Sequence, residues 1–254
     1  MPLRAALEKL KRDLIAMAEM CENSFDTALM ALVENDSSMA NQVVSYDRDL
    51  DNMELAVDRD CMRLLSDPAL DASGRRFAAV AMKINNDLER IGDEAVELAN
   101  RALFLAQEQA IIHQVIDFAS LVEQAEQMTS ESVRALVEND ATLAWKVVEE
   151  RDVVQEEMRT IVGEIVGVMQ ESPATVERAV HVLAAARSLE KAATYAAHIA
   201  EEVVFLIEGK AVQAKPRNYR PLDKHLLRIA ASAEEKSKQE TAILERRSKS
   251  AKKK

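Results

Sequence analysis

The sequence predicts an all-α protein: two tandem up-down-up three-helix bundles related by internal duplication, followed by a basic C-terminal extension. Three observations carry this expectation: a residue vocabulary suited to long helices, a repeat about 100 residues apart, and apolar positions that step by three and four. The 254 residues include only 5 Gly and 5 Pro, too few for the turns that strands and α/β connections use. Hydrophobic residues at 48% supply a core, and aromatics at 4% argue against a β-sandwich and against stacking platforms for single-stranded nucleic acid.

The repeat fixes the architecture. Ala-Leu-Val-Glu-Asn-Asp stands at Ala31–Asp36 and returns 104 residues later at Ala135–Asp140. At the same offset Ala40, Val43 and Val44 match Ala144, Val147 and Val148. Pro68 matches Pro173 at an offset of 105, and Leu88-Glu89-Arg90 matches Leu189-Glu190-Lys191 at 101. The small drift is what changes in loop length produce.

Punctuation divides each half into three helices, expected near 3–34, 37–66, 73–108, 113–138, 141–170 and 175–208. The first carries Leu3, Leu7, Leu10, Leu14, Met17, Cys21, Ser24 and Ala28 on one face, with Ser24 a polar lapse, and stops at Asn35. Asp36 caps the second, whose seam is Met39, Val43, Tyr46, Leu50, Met53 and Val57, and Pro68 closes it. The third has the cleanest seam: Phe77, Ala81, Ile84, Leu88, Ile91, Ala95, Leu98, Ala102 and Leu105. Asn139 stops the fourth, Asp140 caps the fifth, and Pro173 closes the fifth. Gly209, with Pro216 and Pro221 beyond, ends the sixth. Short loops make neighbours antiparallel. The domain reading is 1–109 for the first repeat, 110–210 for the second and 211–254 for the extension.

Charge separates body from tail. Residues 210–254 hold 14 Lys/Arg against 5 Asp/Glu, leaving 19 basic and 39 acidic side chains in residues 1–209. A body so acidic repels anions and attracts cations or basic partners. The tail has one weak apolar stripe (Leu222, Leu226, Ile229, Ala230, Ala233) and ends in Lys252-Lys253-Lys254. Cys21 and Cys61 sit in apolar patterns with no metal-ligand spacing and read as buried, inert thiols. No apolar run approaches the ~20 residues of a membrane span, and Met1-Pro2-Leu3-Arg4 lacks the stretch of a secretory signal. A cytoplasmic protein is expected.

The chemistry lies in columns of carboxylates. The second helix carries Asp47, Asp51, Glu54 and Asp58, and the third carries Glu89, Asp93 and Glu97, each set on one side of its helix. Their angular distance from the apolar seams places them on bundle surfaces or shoulders. A solvated acidic face needs no ligand, since like charges at i, i+4 cost about 0.2–0.5 kcal/mol per pair. Converging columns would instead suit hard cations such as magnesium, calcium, manganese or ferric iron. Gly92, costing about 1 kcal/mol against Ala, points to close approach of another helix. No Gly-rich phosphate cradle, nucleophile elbow or H-E-x-x-H pair is present, so no enzyme is expected.

The segment Ala81-Met82-Lys83-Ile84-Asn85-Asn86-Asp87-Leu88-Glu89-Arg90-Ile91-Gly92-Asp93-Glu94-Ala95 resembles the signature helix of the PhoU family, the phosphate-uptake regulators. Arg187-Ser188-Leu189-Glu190-Lys191, Ile199-Ala200-Glu201-Glu202-Val203-Val204 and the duplicated Leu-Val-Glu-Asn-Asp segments extend the resemblance over about residues 3–210. It implies tandem three-helix bundles and iron or zinc clusters on Glu/Asp-x-x-x-Asp motifs, standing here as Glu89…Asp93 and Asp47…Asp51. It also implies a homodimer and a non-enzymatic negative regulator that couples the ATPase subunit of the phosphate ABC transporter to a sensor histidine kinase, close to the membrane through those partners. No metal is required by this reading. In the second half, Glu190, Thr194 and His198 stand where the first has Glu89, Asp93 and Glu97, with Tyr195 beside Thr194 and Asp152 and Glu156 as a shorter acidic pair. Thr194 cannot replace a carboxylate charge, so cations should favour the first repeat. The alternatives are a carboxylate-rich metal-binding helical protein, and a nucleic-acid-associated protein acting through its basic tail.

Overall fold

The structure, a computed structural model, describes residues 2–106, 118–209 and 212. Among these are six long helices and no strand: α1 (Pro2–Glu34), α2 (Ser37–Leu65), α3 (Ala72–Ala106), α4 (Ala119–Glu138), α5 (Ala141–Glu171) and α6 (Val176–Glu208). The boundary at 109/110 and, Val212 apart, the extension 211–254 with its apolar stripe lie outside the described residues. The sequence predicts the fourth helix from 113; residues 113–117 lie outside the described ones, and the described part starts at Ala119, after Phe118, which makes no side-chain cap bond.

The duplicated punctuation has a duplicated geometry. Asn35 and Asn139 both adopt left-handed backbone, at φ 55° and 53°, where a short polar side chain is tolerated. The next residue then caps: Asp36 accepts from the backbone N–H of Ser38 and Met39, and Asp140 from those of Thr142 and Leu143. Each Asn-Asp dipeptide thus ends one helix, reverses the chain and begins the next. Gly209 closes α6 at φ 69°.

Cross-helix bonds fix the directions. Lys9 near the start of α1 pairs with Asp60 near the end of α2 at 2.8 Å, and Asn85 of α3 bonds Asp58 of α2 at 3.0 Å. In the second bundle Lys146 of α5 meets Glu131 of α4 at 2.8 Å, and Arg151 meets Glu201 of α6 at 2.8 Å. Both bundles therefore run up-down-up. Most seam residues are buried as expected, including both cysteines, and desolvation drives the Cys61 thiol up to about 12. Cys21 donates to the Leu88 carbonyl at 3.3 Å. Leu3, Leu7, Ser24, Met39, Met53 and Phe77 are half-buried, and Tyr46 departs furthest: its side chain lies outward, 51% exposed, because α2 buries Val43 and Leu50 and turns position 46 to solvent.

The bundles join through their third helices. α3 and α6 pack antiparallel in one register, set by Lys83–Glu202 at 2.8 Å, Glu94–Lys191 at 2.9 Å and the Phe104–His181 stack at 3.6 Å between ring centroids. α1 also meets α4. Each third helix is consequently buried on more than one side, and α3 buries Asn85, Asp87 and Glu94 along with its apolar seam.

Candidate functional site

Both carboxylate columns of the first repeat end up in one groove between α2 and α3. Antiparallel packing sets Asp47, Asp51, Glu54 and Asp58 against Glu89 and Asp93. Close approach is possible because residue 92 is glycine: a Cβ there would lie 1.9 Å from Leu50 Cδ2. The helix that Gly92 admits is α2. Asp51 and Asp93 are exposed, whereas Asp47 and Glu89 are half-buried, so the columns occupy the shoulder expected of them.

Proximity shows in the acidities. Partial burial, then the charges of Asp93, Glu54 and Asp51, push the Glu89 carboxyl up to about 7. Burial and Asp51 raise Asp93, although a hydrogen bond with Glu89 works the other way. Asp47 and Glu54 are raised by burial and by neighbouring acids on both helices. At the lower end Asn85, fully buried, donates through Nδ2 to Asp58 Oδ1 and to the Glu54 carbonyl, both at 3.0 Å. Its Oδ1 finds no partner. The groove holds excess negative charge that a cation or a basic side chain would relieve. Oxygen donors on two rigid helices suit a hard cation. Among the described residues, however, no three His, Cys, Asp or Glu side chains stand in metal-holding geometry. The four expected residues, Asp47, Asp51, Glu89 and Asp93, are brought together without converging on one point.

The second repeat treats the same positions differently. At the repeat offset of 104 residues, Arg151 and Gln155 occupy the places of Asp47 and Asp51. The pair Asp152 and Glu156 is therefore one position out of register and not the counterpart of the first-repeat column. Arg151 reaches across to Glu201 on α6, and Thr194 turns its hydroxyl onto the Glu190 carbonyl at 2.9 Å. Glu190 is held by Arg187, and Glu156 by Arg159. Across the α5–α6 groove a cation, Arg151, thus faces a carboxylate where the first repeat sets carboxylates against one another.

Tyr195 proves less of a departure than its sequence suggests. It stands at the place of Glu94, which receives Lys191 across the α3–α6 seam. The symmetric position to Lys191 is Arg90, and the Arg90 guanidinium lies over the Tyr195 ring at 5.6 Å. A π face replaces a carboxylate as the cation's partner.

Two polar features were not foreseen. A cavity of about 480 Å³ opens along the α3–α6 seam, lined by Met82, Lys83, Asn86, Asp87, His198, Glu201 and Glu202. His198 belongs to this seam, edge-on to Tyr195 at 6.2 Å between centroids. Burial raises the Asp87 carboxyl, and the nearby charges of His198 and Arg90 oppose that rise. The other is a set of acids where α1 meets α4: Glu22, Asp26 and Glu126. The duplication itself held a clue to the second, because Glu19 and Glu22 recur as Glu123 and Glu126.

The model of the PhoU domain matches residues 14–102 and 118–203, one match for each bundle. The phosphate-specific transport system accessory protein PhoU homolog of Pseudomonas putida is 34% identical over 209 residues, covering 82% of each chain. Its namesake in Aquifex aeolicus is 34% identical over 214 residues, 84% of this chain and 96% of that one. The crystal structure of PhoU from Pseudomonas aeruginosa superposes with a TM-score of 0.78 at 34% identity, over 82% of this chain and 99% of that one.

Proposed function

From the premise that the chain belongs to the PhoU family, we propose that it is an accessory regulator of phosphate transport, restraining uptake and phosphate-starvation signalling when phosphate is plentiful. The observation that carries this reading is that both repeats match the family, with curated relatives named for the phosphate-specific transport system. Its finer part couples the ATPase subunit of the phosphate ABC transporter to a sensor histidine kinase, without catalysis by this chain. Two linked bundles, whose helices other than the described part of α4 run to about 45 Å or more at ~1.5 Å per residue, provide rigid docking faces. The α2–α3 groove keeps an excess of carboxylates, although Arg101 holds Glu97 at 2.9 Å, and so suits a basic patch on such a partner, because opposite potentials speed encounter and select against acidic surfaces. Among the described residues no helix is long and apolar enough to cross a membrane, so membrane proximity would come through partners. Deleting the gene should derepress phosphate-starvation reporters in phosphate-rich medium, and the full chain should co-purify with the transporter ATPase or the kinase. Unchanged reporter output together with loss of both associations would refute the role. The homodimer is tested by sedimentation at micromolar concentration.

A second reading is favoured by the charge excess of the first-repeat groove: Asp47, Asp51, Glu89 and Asp93 hold a hard cation. Bound there, the ion would supply positive charge that relieves the repulsion between α2 and α3. Iron, manganese, magnesium and calcium suit the oxygen donors; zinc suits them less, with no histidine or thiolate in the groove. Elemental analysis of the purified protein, Asp93→Asn and Thr194→Val decides. Metal should fall in Asp93→Asn and persist in Thr194→Val, and equal loss in both would end this reading.

A further inference from the structure

The two ends of the α3–α6 seam are related by the duplication, yet they carry different chemistry. The cavity opens at the end where Lys83 meets Glu202, with Asn86 and Asp87 from α3 and His198 and Glu201 from α6. At the offset of 101, the other end has Ser188 for Asp87, Asn100 for Glu201 and Arg101 for Glu202. A hydroxyl, an amide and a guanidinium stand where the cavity has three carboxylates. The packing of α3 on α6 therefore does not itself call for acids at this level.

Two of the three carboxylates are matched within the protein. Lys83 Nζ donates to both oxygens of Glu202, at 2.8 and 2.9 Å. Arg151 reaches Glu201 from α5 at 2.8 Å. Asp87 is left over. Only 9% exposed, it lines the cavity and accepts no side-chain hydrogen bond from any described residue. Arg90 stays 3.8 Å away, with its guanidinium over the Tyr195 ring. Burial raises the Asp87 carboxyl, as it does for a charge without a close partner. Such a group favours a donor that this chain does not supply.

The walls indicate what that donor is. Among the described residues no three His, Cys, Asp or Glu stand in metal-holding geometry, and about 480 Å³ is far more room than a bare ion needs. The acceptors are spread over two helices: the Asp87 carboxylate, the Asn86 amide oxygen, and the remaining lone pairs of Glu201 and Glu202. Met82 adds an apolar wall along which a methylene stem can lie. An alkyl guanidinium combines one positive charge, five N–H donors in a fixed fork and such a stem. We infer that the α3–α6 cavity is a binding site for an alkyl guanidinium, which donates to Asp87 and lies along Met82. The group can arrive on a free small molecule or on an arginine side chain of another protein, and the site does not depend on the regulatory role proposed above.

Two probes carry the same group: butylguanidinium, and the blocked peptide acetyl-Ala-Arg-Ala-amide. Each is titrated into the full chain at constant ionic strength and followed by NMR. The Met82 methyl and His198 ring signals should shift and saturate; response to butylguanidinium alone assigns the site to free molecules, and response to the peptide assigns it to a protein side chain. Asp87→Asn should weaken binding about fivefold, the loss of one ion pair. Lys83→Gln, a change at an exposed position that frees Glu202, should strengthen it about twofold. Glu164→Gln, which removes an exposed carboxylate of α5, should leave the affinity as it is, separating the cavity from general attraction to an acidic surface. Tetramethylammonium, charged but without N–H donors, should not move either signal. The site is overturned if neither probe saturates, if Asp87→Asn binds as well as the native chain, or if tetramethylammonium produces the same shifts.

Discussion

The groove between α2 and α3 and the groove between α5 and α6 descend from one ancestral segment, yet they hold opposite electrostatic arrangements. In the first, Asp47, Asp51 and Glu54 face Glu89 and Asp93, and partial burial, with mutual repulsion added, raises four of these acids above their ordinary range. In the second, Arg151 takes the place of Asp47 and meets Glu201 at 2.8 Å, while Thr194 takes the place of Asp93 and satisfies itself on its own helix. The backbone tolerates either arrangement, and an apolar side chain lies beneath each groove: Leu50 and Val154 are equivalent and both buried. Duplication has conserved the scaffold while the charges of the two grooves have diverged, the first keeping an excess of carboxylates.

The steepest way to break this comparison is at its closest contact. Gly92→Val would drive new atoms into Leu50, where even a Cβ stands 1.9 Å away, and overpacking of this kind costs about 1–3 kcal/mol. Ala193, the equivalent residue, is already fully buried, and Ala193→Gly should cost about 1 kcal/mol through helix propensity. Urea denaturation checks both; equal losses would mean that the glycine is not what sets the α2–α3 spacing.

A smaller effect is expected from Arg151→Ala. Its ion pair with Glu201 is mostly covered, the side chains 15% and 21% exposed, so about 1 kcal/mol should be lost and Glu201 left beside α5 without its cation. The reciprocal change, Asp47→Arg, should stabilise the first repeat by a few tenths of a kcal/mol at pH 8, measured as a rise in thermal midpoint. Loss of stability there would contradict the view that the groove is over-charged.

A further test sharpens the comparison through pH. Glu89 titrates at about 7 in the folded protein and at an ordinary 4.5 when unfolded. The folded state therefore holds the extra proton between those values, and stability declines as pH rises through the window. Solvent screening at this half-exposed site limits the decline to about 1 kcal/mol or less. Glu89→Gln should flatten that part of the pH–stability curve, and an unchanged curve in this variant would contradict the raised Glu89 carboxyl.

Much of the fold was legible because it is written in local signals. Asn35-Asp36 and Asn139-Asp140 combine a left-handed stop with a side-chain cap, and a dipeptide suffices to specify that turn. Seam residues of α3 follow from a single period. The site was legible only in part. Spacing along a helix brings Glu89 and Asp93 to one side, but it does not reveal which helix they meet, and burial of Asn85, Asp87 and Glu94 follows from α3 being packed on several sides. Tyr195 and Arg151 show the same limit: their partners lie on another helix, and only the antiparallel register says that Arg90 reaches the ring and Glu201 the guanidinium.

The α3–α6 seam also says something about how such a chain can be assembled. Its register is nearly two-fold, with Lys191 on Glu94 answered by Arg90 on Tyr195. A lone first repeat docking on a copy of itself in this register would set Arg90 against Glu94 at both crossings, two salt bridges where the tandem protein has one and a π contact. Joining the halves makes that encounter intramolecular, at an effective concentration on the order of millimolar for a short connection. Association no longer depends on how much protein the cell contains, and neither face has to remain complementary to itself. The exchange of Glu94's counterpart for Tyr195, and of Asp47's for Arg151, is the latitude that tethering grants.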